Sequence, residues 1–485
     1  MILSIISVLN SLVLVPIVVI GDILHKLGFL EKAFNCYKFS FDHFKYEGYQ
    51  YFKVMLIRKL AKIHYQYDDY GSVVYYYQLL IRTTDYKELT SVELFEMGWS
   101  LYELAELDAA KKYFNVIIDL AEHTDDKLSL ANGFNALGVI DYAQGYYESS
   151  IQNYENSLDT YGSTSLSRAK DKVQNLINLG ASFLALARFD EAENYYLRAL
   201  NEKLDISKEN KLLIATARNN LGEIYRKVNK FDEALEQYEL ALPNQLEVAG
   251  EYSVDVSTTR NNIGLIHFHL GEYEQALDQL NAALKINIEL RDEGHPDISG
   301  NYHNLGAICE ELSDDGSAIK YYEQAIESDM LVLGEDHPDV ATTRNNLAVL
   351  LKGNSQCDLA LKTIKLALAS DINNFGEKHP AVARDWATLA SIYSSLSRFE
   401  ESVELFLNAI KSDIENYGAD NISLAQKYNN VAFVYHKMNM PNEAIKHFSN
   451  AYQIFKNVLG EEHPNTKDVT DNLNTIIESA KDQVH

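Results

Sequence analysis

Apolar and small residues recur along this chain in pairs of short segments, each with the spacing of one helix face. In a representative stretch, Leu221, Gly222 and Tyr225 are separated by one and three residues. The following segment places Ala234 and Tyr238 four residues apart. Both segments fit a 3.6-residue period and neither alternates as a strand does. The pattern therefore predicts an all-α chain built from pairs of helices.

This two-helix pattern returns every 42 residues through most of the chain and every 37 to 40 residues nearer the amino terminus. A fixed period of this kind indicates a repeat array. Each predicted second helix carries a small residue where the two helices of a pair must approach closely. These anchors define about eleven units: Ala33, Val73, Ala110, Ser150, Ala192, Ala234, Ala276, Ala318, Ala360, Ser402 and Ala444.

Glycine, proline and histidine mark the junctions between units. Glycine in a left-handed conformation ends helices, and proline fits the first helical turn. A histidine that recurs at the same loop position is best explained as part of the helix start. The junction residues are Gly334, Gly376, Gly418, Gly460, Pro338, Pro380, Pro464, His295, His337, His379 and His463.

The order Leu-Gly-x-x-Tyr, then Ala, aromatic and Ala, resembles the tetratricopeptide repeat, and GEDHPDVATTRNNLAVL (334–350) is similar to the repeats of kinesin light chains. The resemblance implies a right-handed superhelical solenoid of antiparallel helix pairs. We expect an apolar segment at 1–12, about three divergent repeats at 13–130 and about eight regular repeats at 131–464, with a capping helix and tail at 465–485. No heptad coiled coil precedes the repeats, so a motor-subunit role is not expected.

Composition restricts the function further. The formal net charge of −27 disfavours nucleic acid, which requires concentrated Lys and Arg, and it favours a neutral or basic protein partner. Three distant cysteines, Cys36, Cys309 and Cys357, form neither a disulfide framework nor a zinc motif, and this favours the cytoplasm. No nucleotide-binding, metalloprotease or serine-hydrolase motif is present, so neither an enzyme nor a cofactor or metal site is expected.

Asparagine recurs in pairs just before the Leu-Gly position, although it costs roughly 0.6 kcal/mol relative to Ala inside a helix. The resemblance implies that this side of the first helix lines the concave groove, where kinesin-light-chain-like arrays hold cargo peptides with asparagine. A carboxamide can bind peptide backbone because it both donates and accepts hydrogen bonds. The candidate residues are Asn219, Asn220, Asn261, Asn262, Asn304, Asn345, Asn346, Asn429 and Asn430.

A second interpretation of these asparagines is that they bond to neighbouring helices and set the stacking register. The roles can also be divided, with the first asparagine of each pair facing the groove and the second facing the neighbouring repeat. Arg226 and Lys227 are added as groove cations close to Asn261 that could select a ligand carboxylate. Ala387 and Thr388 replace the asparagine pair in one repeat, with Trp386 beside them, and there the groove is expected to become apolar.

The first 21 residues contain no charged side chain. Three interpretations remain open for them: a packed helix of the first repeat with a self-association surface, a membrane anchor through residues 1–20, or a signal sequence. Ile20 and Gly21 fall on the Leu-Gly ladder, which favours a repeat helix from about residue 13.

The sequence thus predicts a non-catalytic scaffold that binds an extended or helical peptide segment of a protein partner. One alternative is a membrane-attached assembly factor that uses the apolar amino terminus as its anchor. Another is an allosteric sensor whose superhelix responds to a bound peptide.

Overall fold

The computed structural model describes residues 2–43, 50–83, 89–162, 169–202 and 207–482, with side chains from Val13 to Glu478. These residues form 23 helices: α1 (Ile2–Lys26), α2 (Leu30–His43), α3 (Gln50–Gln66), α4 (Tyr70–Thr83), α5 (Ser91–Glu103), α6 (Leu107–Thr124), α7 (Lys127–Ala143), α8 (Tyr147–Gly162), α9 (Ala169–Ala185), α10 (Phe189–Asn201), α11 (Lys208–Lys227), α12 (Phe231–Ala249), α13 (Val254–His269), α14 (Tyr273–Leu290), α15 (Pro296–Glu311), α16 (Asp315–Leu333), α17 (Pro338–Gly353), α18 (Cys357–Phe375), α19 (Pro380–Ser395), α20 (Phe399–Tyr417), α21 (Ile422–Lys437), α22 (Pro441–Leu459) and α23 (Pro464–Asp482).

Each odd-numbered helix packs against the even-numbered helix that follows it, and α23 packs on α22. The described residues therefore contain eleven helix pairs and one final helix, which confirms the predicted all-α repeat array. The chain divides into two compact units, Met1–Ala241 and Leu242–His485. The sequence pattern did not predict this division, which falls within α12.

The two helices of a pair meet where a small residue faces a ring. A Cβ atom on Gly180 of α9 would lie 2.6 Å from Cε1 of Tyr196 in α10, so no larger residue fits without a shift. All eleven anchor residues named from the sequence are fully buried. Close approach of the paired backbones thus explains the recurring glycine of the first helix and the recurring small anchor residue of the second helix.

The junction residues act as predicted. His337 caps α17 by accepting a hydrogen bond at Nδ1 from the backbone N–H of Asp339 at 3.2 Å. Pro338 occupies the first turn, and Gly334 ends α16 with a φ of 84°. The same Nδ1 cap forms at the equivalent histidines: His295, His379 and His463.

The carboxyl-terminal part of α1 belongs to the first repeat. Leu14 and Val18 are buried, and a Cβ on Gly21 would lie 2.7 Å from the ring of Tyr37 in α2. None of the helices, as far as they are described, is long and apolar enough to cross a membrane. Residues 1–12, on which the anchor alternative mainly depends, lie outside the residues whose side chains are described.

Candidate functional site

The asparagine pairs lie on the odd-numbered helices. Within each of the two compact units, we call the surface that these helices form the first-helix face. Several consecutive odd-numbered helices of one compact unit contact each other directly; α17 contacts α19, and α19 contacts α21. A side chain on these helices therefore points either toward the next repeat or toward open space. Which of the two applies decides whether an asparagine is structural or available to a ligand.

The first asparagine of two pairs faces the next repeat. Asn345 is only 3% exposed, and its Nδ2 donates to Oδ1 of Asp385 at 2.7 Å. Asn261 accepts at Oδ1 a hydrogen bond from Nδ2 of Asn301 at 3.0 Å. At these positions the predicted division of roles is therefore reversed, because the first asparagine, not the second, bonds to the neighbour.

These bonds belong to a series that we call the inter-repeat ladder. Each bond joins a side chain of one odd-numbered helix to the side chain 40 positions later, in the next odd-numbered helix. The pairs are Asn261–Asn301, Asn345–Asp385 and His303–Thr343, the last with 3.0 Å between Nδ1 of His303 and Oγ1 of Thr343. A second set of bonds joins a residue of an odd-numbered helix to the side chain 14 positions before it, near the end of an even-numbered helix. Such bonds join Thr259 to Gln245, Asn301 to Asn287 and Lys427 to Asp413.

The second asparagine is more accessible. Asn262, Asn304 and Asn346 are partly buried, and Asn430 is exposed. Within the described residues, no hydrogen bond engages these four carboxamides. The remaining candidates Asn219, Asn220 and Asn429 are partly buried, with Asn220 beside the Tyr196 hydroxyl.

The two predicted groove cations are already paired. The Arg226 guanidinium donates from Nε and Nη2 to the two carboxylate oxygens of Glu223, each at 2.8 Å, and Lys227 lies 3.4 Å from the same group. Burial acts to raise the pKa of Glu223, but the hydrogen bond and charge of Arg226 outweigh it and lower the pKa. Because the Glu223 carboxylate neutralises one of these two positive charges, Arg226 and Lys227 are a weaker basis for carboxylate selection than the sequence suggested.

Two cavities flank α15 on the first-helix face. One, of about 180 Å³, is lined by residues that include Asn261, Asn301 and Asn304. The other, of about 340 Å³, also reaches Asn304 and extends to Asp329. Gly300 borders both. The sequence analysis did not select Gly300 or Asp329. A glycine inside a regular helix was a signal that could have identified Gly300.

Two buried acids share one cation further along the ladder. Arg384 Nη2 lies 3.1 Å from Oδ2 of Asp371 and 3.1 Å from Oδ1 of Asp385. Burial raises the pKa of both carboxyl groups, and the nearby Arg384 only partly opposes this. No cluster of His, Cys, Asp and Glu suited to a metal ion is found in the described ranges.

Comparison with known families identifies the repeat. The tetratricopeptide repeat family matches residues 171–247, 255–330, 339–415 and 423–474, and a second tetratricopeptide family model matches residues 94–121. The first of these alone covers more than half of the chain. The chain therefore belongs to the tetratricopeptide repeat family, whose members generally mediate protein–protein interactions.

Three solved structures of other proteins are similar to parts of this chain at low sequence identity. BtubC (BKLC) from P. vanneervenii is 23% identical, with a TM-score of 0.41 over 47% of this chain and 92% of that chain. A putative kinesin light chain from Podosopora anserina is 17% identical, with a TM-score of 0.37 over 42% and 96%. The apo form of RapI is 17% identical, with a TM-score of 0.44 over 58% and 97%. None of the curated proteins compared with this chain matches it.

Proposed function

We propose that this chain is a non-catalytic interaction scaffold that binds an extended or helical peptide segment of a partner protein along its first-helix face. The observation that carries the proposal is the set of unengaged carboxamides at Asn262, Asn304 and Asn346. Each offers one acceptor and two donor hydrogens, which can bind peptide backbone whatever the peptide's side chains are. Asn304 borders both cavities beside α15, so a bound segment would have room for side chains.

The inter-repeat ladder narrows the proposed binding set. The carboxamides of Asn261 and Asn345 form hydrogen bonds to the next repeat. Replacing these residues would disturb the stacking of the repeats that form the first-helix face. The second asparagines are the residues that we assign to the ligand. A neutral or basic segment suits the net charge of −27 better than an acidic one.

The proposal is tested by affinity capture from a lysate of the source cells with the full chain. Asn262, Asn304 and Asn346 are changed together to Ala, and the matched control changes Asn281, Asn408 and Asn457, which are exposed on even-numbered helices. We expect the first variant to lose a partner that the wild type and the control both retain, while all three melt at similar temperatures. Retention of every partner by the first variant would contradict the proposal.

A further inference from the structure

Three aspartates occupy the same position near the ends of successive even-numbered helices. Asp329, Asp371 and Asp413 are spaced by 42 residues and are 7%, 1% and 2% exposed. An ionised carboxylate at such a site requires a compensating partner, because burial of an unpaired charge is strongly unfavourable. The chain itself supplies a cation to two of the three.

The two later aspartates obtain their cations from the next odd-numbered helix. Nη2 of Arg384 lies 3.1 Å from Oδ2 of Asp371. Nζ of Lys427 lies 2.7 Å from Oδ2 of Asp413 and is itself nearly buried. Both cations therefore fill the space between an even-numbered helix and the following repeat.

The first aspartate has no such partner. The positions equivalent to Arg384 and Lys427 are occupied by Thr342 and Thr343, and no ion pair in the described part of the chain involves Asp329. A cavity of about 340 Å³ lies in this place and is lined by Asp329 and both threonines. We call it the Asp329 cavity.

Other groups around this carboxylate do not replace the missing cation. Asp339, from α17, lines the same cavity and adds a like charge. Burial lowers the pKa of His303, from α15, although the charges of Asp329 and Asp339 act in the opposite direction. Burial raises the pKa of Asp329, a side-chain hydrogen bond with Ser299 opposes this, and the charge of Asp339 raises the pKa further. His337 and His303 lower it by smaller amounts. A cation that entered the cavity would relieve this unfavourable arrangement.

Gly300 lines the Asp329 cavity. A Cβ at this position would meet nothing within 4 Å, so the glycine is not required for packing inside the chain. Glycine inside a helix is less favourable than alanine by about 0.5–1 kcal/mol. An open helix surface between two cavities suits close approach by the backbone of another chain.

We propose that the Asp329 cavity binds the guanidinium group of an arginine in the partner segment, in the place that Arg384 and Lys427 fill in the next two repeats. A guanidinium has five N–H donors. The carboxylate of Asp329, the hydroxyls of Thr342 and Thr343 and the carbonyl of Asn304 supply acceptors around the cavity. The inference adds a side-chain specificity to the proposed function and rests on it for the identity of the ligand as a peptide.

The test uses the full chain and the peptide acetyl-Gly-Gly-Arg-Gly-Gly-amide in isothermal titration calorimetry at low salt. Two peptides of the same length carry citrulline, which is nearly isosteric but uncharged, or lysine in place of arginine. We expect the arginine peptide to bind roughly tenfold or more tightly than the citrulline peptide, and more tightly than the lysine peptide. Equal binding of arginine and citrulline would overturn the proposal, and stronger binding of lysine would overturn the assignment to a guanidinium.

Three variants locate the binding. Asp329→Asn should abolish the preference for arginine over citrulline. Thr343→Lys should reproduce the Asp413–Lys427 pair inside the chain, raise the melting temperature and prevent arginine binding. Asp371→Asn, whose site is already filled by Arg384, should bind the peptide as the wild type does.

Wild-type affinity in Thr343→Lys would show that the arginine binds elsewhere and would overturn the assignment. These peptides contain no partner sequence, so their failure leaves the capture experiment with the asparagine variants as a separate test. Loss of the partner in that experiment alone would retain the peptide-binding function and remove only the arginine site.

Discussion

The Nδ2 atom of Asn345 donates to Oδ1 of Asp385 in the next repeat at 2.7 Å, and both side chains are buried. A polar residue in this position stabilises the stack only as long as its partner is present. Removing one partner of a buried hydrogen bond costs about 1–3 kcal/mol. This relationship separates the structural asparagines from those proposed to bind a ligand.

We therefore predict that Asn345→Ala destabilises the chain by about 1–3 kcal/mol, because Asp385 loses its donor. The adjacent change Asn346→Ala removes no hydrogen bond among the described residues and should alter stability by less than about 0.5 kcal/mol. Urea unfolding followed by circular dichroism measures both. Equal destabilisation by the two changes would show that the ladder does not distinguish the two positions.

The acids Asp371 and Asp385 should make stability depend on pH. Burial raises the pKa of each above its unfolded value, against the opposing effect of Arg384. The folded chain then holds more protons than the unfolded chain, so this contribution to stability is greatest at low pH and is lost as pH rises through the folded pKa values. Asn345 and His379 are the other groups that act on the pair.

Replacing Asp385 by Asn should leave Arg384 with a single carboxylate partner. We expect this variant to be more stable than the wild type at pH 8, by about 1 kcal/mol, and to lose part of the decline in stability between pH 5.5 and pH 8. Urea midpoints at the two pH values test this. A variant less stable than the wild type at pH 8 would contradict the proposed cost of two ionised acids.

Asp413→Asn should be far more harmful than Asp329→Asn. Lys427 is only 8% exposed in its side chain, and without Asp413 its buried charge has no compensating carboxylate. Removing one member of a buried ion pair costs about 3–5 kcal/mol. No cation depends on Asp329 in the described residues, so that change should cost little. Thermal unfolding of the two variants side by side gives the comparison.

Two glycines inside helices should respond in opposite ways to alanine. At Gly180 the new Cβ would collide with the ring of Tyr196, and overpacking typically costs about 1–3 kcal/mol. At Gly300 the Cβ would enter open space, and the chain should gain about 0.5–1 kcal/mol. Urea midpoints distinguish the two outcomes. A stabilised Gly180→Ala would show that the ring moves away easily.

Local signals in the sequence were sufficient for most of the fold. The anchor residues, the histidine caps and the terminal glycines act within one helix pair or one junction, so a fixed period reveals them. The inter-repeat ladder was not predicted, because adjacent residues in a helix point about 100° apart and the orientation of the next repeat decides which one is buried. That orientation depends on packing between repeats, and the 42-residue spacing is the same whichever asparagine is buried.

The proposed cation site at Asp329 could not be predicted from the sequence either. Asp329 stands in a column with Asp371 and Asp413, but their cations lie 13 and 14 residues downstream in another helix. Only contacts between repeats show that Thr342 and Thr343 occupy the places of those cations. The division of the chain within α12 lies beside Pro243, a proline inside the helix that the sequence analysis did not use.

The central claim is that a partner lies along the first-helix face at the second asparagines, and photocrosslinking tests it most directly. Benzoylphenylalanine is introduced at position 304 or, as a control, at position 281 on the even-numbered helix α14, and each chain is irradiated in lysate of the source cells. The account predicts a covalent partner adduct from position 304 and none from position 281. Adducts of the same partner from both positions, or from position 281 alone, would contradict it.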